Sequence, residues 1–408
     1  MPHWIWQHPQ WPQFGWNAEA LAPLLRQVTL AQGALLGRAR GADAALQAEF
    51  SLDALLRNIV NSSAIEGERL DVESVRSSLA RRLGLHAAAT VPPDARGEGV
   101  SRIMWDATAN LDAPLSKARL LRWHRWLFAG DDGLLGRRIR VGAWRGPEPM
   151  QVVSGRVDRP VVHFEAPPRE GLEARIADFL AWFNASRRET RLDPLLRAAI
   201  AHFWFVTLHP FDDGNGRLAR ALTDLALAQG ERQSVRFYAM SAAILADRKG
   251  YYRQLESAQK IASIGQVLDL TPWLHWFLAT LRQAVDDALA QIDRVLGKSR
   301  FWLLHRQQSL GPEQIKVLNR LLDGDQPGRG GFSAGIGAAQ YQAVTQVSKA
   351  TATRHLADLV AKACLVKLPG GGRNTRYKIL WPATGDLLDA DRSSIAYSDS
   401  SHENQCIV

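Results

Sequence analysis

Between residues 48 and 285 one pattern recurs: apolar residues at i, i+3 and i+4, the spacing that gives a helix one apolar face. LDALLRNIVNSSAIEG, ARLLRWHRWLFAG, GLEARIADFLAWFNAS, PLLRAAIAHFWFVTLHPF and RLARALTDLALAQG all carry it. Such a run commits the chain to a mainly α fold whose helices bury their faces on one another. One segment breaks the pattern. EPMQVVSGRVDRPVVHFEAPP holds two Val-rich runs about SGRVDRP, which predicts a β-hairpin turning within that heptapeptide. A two-stranded hairpin is marginal alone, so this one must lean on the helical body or grip something.

The chain has 408 residues, long enough for a sizeable core and more than one domain. At 46% hydrophobic and 22% charged it has an ordinary globular composition. No apolar run reaches the ~18 residues of a membrane span. The first residues, MPHWIWQHPQWPQFGW, lack the basic start and apolar stretch of a signal peptide. Two cysteines, Cys364 and Cys406, make no disulfide framework and suit a reducing compartment, so a cytoplasmic location is expected. In the final QCIV the cysteine stands one place too late for prenylation. The net charge of +9 permits contact with nucleic acid without requiring it.

Five regions follow. Residues 1–47 form a Trp-rich segment, expected to pack its tryptophans on the body. It includes a helix in which Leu21, Leu24, Leu25 and Val28 share a face. Residues 48–285 are the helical domain with its hairpin at about 149–164. A linker helix covers 286–309, a small basic domain 310–383, and a polar tail 384–408 that is expected to be disordered.

The chemistry concentrates in HPFDDGNGRLAR, His209 to Arg220. Gly214, Asn215 and Gly216 can gather successive backbone N–H groups into an anion-binding nest. The nest sits at the start of a helix beginning near Arg217, where the dipole also favours an anion. Arg217 and Arg220, three apart, can reach one ligand. Two guanidiniums beside a nest suit a polyphosphate. Asp213 offers the hard oxygen that Mg²⁺ takes together with phosphate oxygens. His209, upstream of the nest, suits a general base. No Gly-Lys-Ser/Thr follows the glycines, so this is not a Walker A loop. A helix rather than a strand precedes them, which excludes a dinucleotide-binding fingerprint. His202 and His209 share a helix face, but no third zinc ligand has convincing spacing.

The stretch resembles the Fic family motif, His-x-Phe-x-Asp/Glu-Gly-Asn-Gly-Arg-x-x-Arg. His209, Phe211, Asp213, Gly214, Asn215, Gly216, Arg217 and Arg220 meet every defined position. The resemblance implies a helical core with a β-hairpin flap. It also implies an adenylyltransferase that moves AMP from ATP to a protein hydroxyl, with Mg²⁺. On that resemblance His209 deprotonates the target and Asp213 holds Mg²⁺. The 214–216 nest and Arg217 hold phosphates, Arg220 reaches the terminal phosphate, and Phe211 packs the loop into the core. Docking of a target protein as an added strand on the flap would need little side-chain matching.

A second stretch, NSSAIEGERL, resembles the family's inhibitory motif through Ser62, Glu66 and Gly67, in an inhibitory helix expected at about 55–70. There the glutamate pairs with the second motif arginine, here Arg220, and denies it to the γ-phosphate. An autoinhibited enzyme follows. By the same resemblance Tyr251 lines an adenine pocket and Gln259 contacts the nucleotide, although the family often has Asn there. Val152, Val153 and Ser154 on the flap also fall where members contact the nucleotide. The Trp-rich start resembles the N-terminal segment of one Fic subfamily, and dimers are common in the family.

Residues 310–383 resemble a winged helix-turn-helix. AAQYQAVTQ is its first helix, SKATATRHLADLVAKACL its recognition helix, and VKLPGGGRNTRYKIL its wing. The segment holds ten Lys+Arg against four Asp+Glu, a net of +6. Lys349, Thr351, Thr353 and Arg354 begin the second helix, where DNA contacts are made, and Arg373 and Arg376 on the wing suit phosphates. An alternative to the enzyme is therefore a DNA-binding regulator whose core senses nucleotide. A further alternative is another donor, or removal of AMP, at the same site.

Overall fold

The computed structural model describes residues 3–85, 89–130, 139–156, 159–231, 237–262, 267–324, 332, 334–370 and 375–381. The chain divides into two compact units, residues 1–289 and 290–408.

The first unit opens with strand β1 (His3–Trp4), a short 3₁₀ turn, and helix α1 (Ala18–Arg40), capped by Asn17 Oδ1 accepting from Ala20 N at 3.0 Å. Leu21, Val28 and Leu35 of α1 are buried, whereas Leu24 and Leu25 are only half-buried, so the inward stripe is narrower than the four residues expected. Then come α2 (Ala44–Ile65), α3 (Val72–Arg82), α4 (Ala95–Ala109) and α5 (Lys117–Leu127). Next is the hairpin of β2 (Gln151–Arg156) and β3 (Arg159–Glu165), followed by α6 (Leu172–Ser186), α7 (Pro194–Leu208), α8 (Asn215–Glu231), α9 (Met240–Ala246), α10 (Arg248–Gln259) and strand β4 (Lys260–Ile261). Helix α11 (Thr271–Leu304) passes the division between the units.

The core is organised around α7. Leu195 through Leu208 are all buried, as a helix apolar on every side must be. Pro194 at its first turn and Asp193 Oδ1, accepting from Leu195 N at 2.8 Å, fix its start. Helix α8 packs on α7, so the loop between them, residues 209–214, is held at both ends by the best-packed pair in the unit.

Three sequence expectations shift in detail. The hairpin pairs as far as Arg156–Arg159, so SGR and RP belong to the strands, because the ladder continues past the Val runs. Helix α8 begins at Asn215 rather than near Arg217. Helix α2 ends at Ile65, which leaves Glu66 as its C-cap rather than inside an inhibitory helix.

The hairpin does lean on something. Trp4 meets Phe164 edge-on at 5.4 Å, and Trp6 Nε1 donates to the Glu165 carbonyl at 2.7 Å. Strand β1 pairs antiparallel with β4, directly after α10. The Trp-rich segment thus reaches both the base of the hairpin and the end of α10.

The second unit contains α12 (Pro312–Leu322), α13 (Ala338–Thr345), α14 (Lys349–Ala361) and an antiparallel ribbon of β5 (Leu365–Lys367) and β6 (Tyr377–Ile379). Its core gathers Phe301, Val317, Leu318, Tyr341, Leu356 and Leu365. Residues 384–408 and Arg373 lie outside the described residues.

Candidate active site

His209 ends α7 in the left-handed region, φ 46° and ψ 57°. A β-carbon there costs about 1–2 kcal/mol, so neighbours must hold the turn. Arg145 does so: its Nε donates to the His209 carbonyl at 2.9 Å, and its backbone N–H to the Pro210 carbonyl at 2.9 Å. Phe211 is fully buried, stacked on His124 at 4.1 Å and tilted against Trp144 at 4.9 Å. Asn215 closes the loop from within. Its Oδ1 accepts from Phe211 N at 3.0 Å and its Nδ2 donates to Phe211 O at 2.9 Å. The Asn215 side chain is therefore structural, which leaves its backbone N–H for a ligand. Asp212 turns away and accepts from Arg140 N at 2.9 Å.

His209 Nδ1 donates to the Val206 carbonyl at 3.2 Å, so Nε2 carries the free lone pair. Burial pushes the ring's pKa down to about 4, further than the Val206 carbonyl raises it. A neutral imidazole with a free Nε2 is the form a general base needs at neutral pH. Asp213 is half-exposed, with Oδ1 accepting from Gly214 N at 2.5 Å and lying 3.6 Å from Arg217 Nη2. The N–H groups of Asn215, Gly216 and Arg217 open α8 and have no partners within the helix.

Both motif arginines are buried and occupied. Arg220 Nη2 donates to Glu66 Oε1 at 2.7 Å and to the Ser62 carbonyl at 2.8 Å, and its Nε donates to Ser62 Oγ at 2.8 Å. Burial works to raise the Glu66 pKa, but the charge and hydrogen bond of Arg220 outweigh it and hold the carboxyl below its ordinary value. For Arg220, burial lowers the pKa, and the charge and hydrogen bond of Glu66 together with the hydroxyls of Tyr251 and Tyr252 more than restore it. Gly216 lets this contact form, since a β-carbon there would stand 2.3 Å from Glu66 Oε1. The backbone turns at Gly67, φ 81°, and brings Glu68 round to pair with Arg217 Nη1. Glu68 also holds Arg96 Nη2 at 2.8 Å.

A cavity of about 680 Å³ adjoins the loop, a volume that suits a nucleotide. His209, Gly216 and Glu66 line it, with Val152, Val153 and Ser154 from the flap and Tyr251 and Gln259 from α10. Tyr251 gives its hydroxyl to His202 Nε2 at 2.9 Å, and Gln259 Nε2 donates to Thr207 Oγ1 at 3.1 Å, so each offers the cavity its remaining surface. His202 Nδ1 is taken by Thr223 Oγ1 at 2.8 Å, which leaves neither of its ring nitrogens for a zinc ion. Arg217 and Arg220 lie off this wall and border a smaller cavity of about 40 Å³ with Ser62. Glu68, Arg145, Tyr252, and the flap contacts of His163 and Glu256 went unread in the sequence, because each acts through a partner remote along the chain.

Residues 114–227 match the Fic/DOC family. This chain carries a Fic domain. Residues 4–85, which include most of the Trp-rich segment and Glu66, match a domain of unknown function, DUF4172. The chain is 30% identical over 206 residues to protein adenylyltransferase fic-1 of Caenorhabditis elegans, covering 50% of this chain and 34% of that one. It is 26% identical over 243 residues to protein adenylyltransferase Fic of Nematostella vectensis, covering 58% and 49%. The chain thus spans from about a third to a half the length of these two curated relatives. Among solved structures, a Fic family protein from Desulfovibrio desulfuricans G20 aligns over 88% of this chain and 97% of that one, with a TM-score of 0.46 and 20% identity.

In the second unit, Lys349, Thr353 and Arg354 are exposed on α14. Thr351 and Thr353 spend hydroxyls locally, Thr351 on Ser348 Oγ at 2.9 Å and Thr353 on the Lys349 carbonyl at 3.0 Å. Arg376 is tied to the Gly335 carbonyl at 2.9 Å and to Gln340 Oε1 at 3.2 Å, so part of its guanidinium is structural.

Proposed function

We propose that this chain transfers AMP from ATP to a hydroxyl side chain of a protein, and that Glu66 restrains it. The observation that carries this is the His209 ring, its Nδ1 spent on the Val206 carbonyl and its Nε2 free, on the wall of a nucleotide-sized cavity that also holds Glu66 and the first turn of α8.

In the step proposed, the target hydroxyl gives its proton to His209 Nε2 as its oxygen bonds to Pα. The Pα–O bond to the β-phosphate breaks, and pyrophosphate leaves with the electron pair. The N–H groups of Asn215, Gly216 and Arg217 face the phosphates at the helix start, where anions are favoured. Arg217 and Arg220, once released from Glu68 and Glu66, neutralise the charge that builds on the leaving group. The Asp213 carboxylate suits Mg²⁺, a hard ion satisfied by one carboxylate with phosphate oxygens and water; bound, the ion would offset phosphate charge. Tyr251, Gln259 and Val152 to Ser154 would border the nucleotide. The flap offers exposed Val153 and Val161, at 51% and 55%, beside a strand edge suited to a target's backbone.

For the second unit we propose a winged helix that meets DNA through Lys349 and Arg354, supported by its helix pair, ribbon and local charge. The nucleotide-sensing alternative has less behind it, since a sensor has no use for a neutral base lining the cavity.

The test is label from ATP marked on the α-phosphate, with Mg²⁺ and cell extract, comparing Glu66→Gly with Glu66→Gly/His209→Ala. Label on protein in the first and its loss in the second are expected. Equal label in both would remove His209 as the base.

A further inference from the structure

On the wall of the same cavity stands a second arrangement of a hydroxyl, a base and an acid. Ser154 of β2 lies 2.6 Å from His163 Nε2, and His163 Nδ1 lies 2.9 Å from Glu256 Oε2 on α10. A carboxylate only accepts, so Nδ1 carries the ring proton toward Glu256. In the neutral ring Nε2 is then the acceptor, and Ser154 donates to it. Lys260 Nζ pairs with the other Glu256 oxygen. Glu256 titrates below its ordinary value because Lys260, against some burial, and His163 both bond to its charged form. A nucleophile in reach of a base that is oriented by a third group is the geometry of an activated hydroxyl.

Ser154, His163 and Glu256 all line the cavity that His209 and Gly216 line. A hinge or brace would need only one link between flap and α10. It would not need a serine hydroxyl aimed at the imidazole nitrogen opposite the acid. The flap backbone is already fixed by the β2–β3 ladder and by Trp4 and Trp6, so the relay is not required to hold the hairpin.

We propose that Ser154 is a self-modification site: an acceptor of AMP within its own chain, activated by His163 and Glu256. This rests on the adenylyltransferase reading above, since ATP in the cavity supplies the electrophile. As Ser154 Oγ bonds to Pα, its proton passes to His163 Nε2. The Pα–O bond to the β-phosphate breaks and pyrophosphate takes the electron pair. The product is a Ser154–AMP phosphodiester, and His163 returns its proton to solvent. The attached AMP occupies the cavity a second ATP would need, so labelling at this position stops at one AMP per chain.

The experiment uses the full chain carrying Glu66→Gly, Mg²⁺ and α-labelled ATP, with peptide mapping and cell extract added to parallel samples. Expected is AMP on the peptide containing Ser154, at a rate per chain independent of protein concentration. Ser154→Thr keeps the label at position 154 and Ser154→Ala removes it. His163→Gln lowers the share of label found at Ser154, relative to all other labelled hydroxyls in the same sample, at least about 100-fold, the low side of a general base's effect. Label on extract proteins or other residues with none at Ser154 would overturn the inference and leave the enzyme reading standing. Label at Ser154 that ignores His163→Gln would overturn the relay. No label on any protein would remove the enzyme reading and this inference together.

Discussion

Replacing Glu66 with glycine pulls activity and stability in opposite directions. Arg220 is 3% exposed, and Glu66 Oε1 lies 2.7 Å from its Nη2. A hydrogen bond to a charged partner contributes about 1.5–3 kcal/mol. If the terminal phosphate of ATP must displace Glu66 from Arg220, productive binding is held down by that amount. At ~1.4 kcal/mol per decade the AMP transfer rate of Glu66→Gly should rise roughly 10- to 150-fold at fixed ATP. Stability should fall, because a buried guanidinium loses its carboxylate. Ser62 still offers Oγ to Nε and its carbonyl to Nη2, both at 2.8 Å. The loss is therefore smaller than the ~3–5 kcal/mol of an ion pair broken with nothing left beside it. About 1–3 kcal/mol corresponds to a Tm lower by several degrees, at roughly 2–4 °C per kcal/mol for a unit of this size. Saturating Mg²⁺ and ATP should restore more of the Tm in Glu66→Gly than they add to the wild type, because a phosphate takes the vacated place. Initial rates and calorimetry with and without nucleotide measure both halves. A faster variant whose Tm ignores ATP, or a Tm loss with no gain in rate, would refute the shared cause.

Three further outcomes follow from His209 and from the support of the flap. The His209 pKa, pushed down to about 4, lies below the ordinary 6.5, so the neutral ring's contribution to stability is complete above pH 6.5 and is lost as pH falls from there towards 4. The kcat/KM of Glu66→Gly reports the free protein, and its acid limb should centre near pH 4 or below, since the Glu66 charge that favours imidazolium is gone; a midpoint at 6.5 would show an exposed base. Trp6→Phe keeps the ring but removes the N–H bond to the Glu165 carbonyl, 2.7 Å long and worth about 0.5–1.5 kcal/mol. Amide exchange across 151–165 should quicken roughly 2- to 10-fold, and unchanged exchange would show that the Trp-rich segment does not brace the flap.

What the sequence made legible divides by distance along the chain. The 209–220 stretch could be read because its parts are adjacent: base, carboxylate, nest and arginines fall within twelve residues that run from the end of α7 into the first turns of α8. Glu66 was reachable only through a motif that ties it to Arg220, 154 residues away. Glu68 shows what such a motif leaves out. Nothing local marks it as a partner for Arg217, and only the turn at Gly67 brings it there. The same holds for Arg145, whose bonds to the His209 and Pro210 carbonyls hold a strained backbone from 64 and 65 residues away. The hairpin's existence followed from its valines, but its supports did not: Trp4 and Trp6 come from the far N-terminus and Glu256 from α10. Periodicity reports which face of an element is buried and says nothing of what buries it. In this chain the groups proposed to do chemistry are local, and those that restrain, brace and aim them are remote. Substitutions at Glu68, Arg145 or Trp6 should therefore change the activity of a motif they do not belong to.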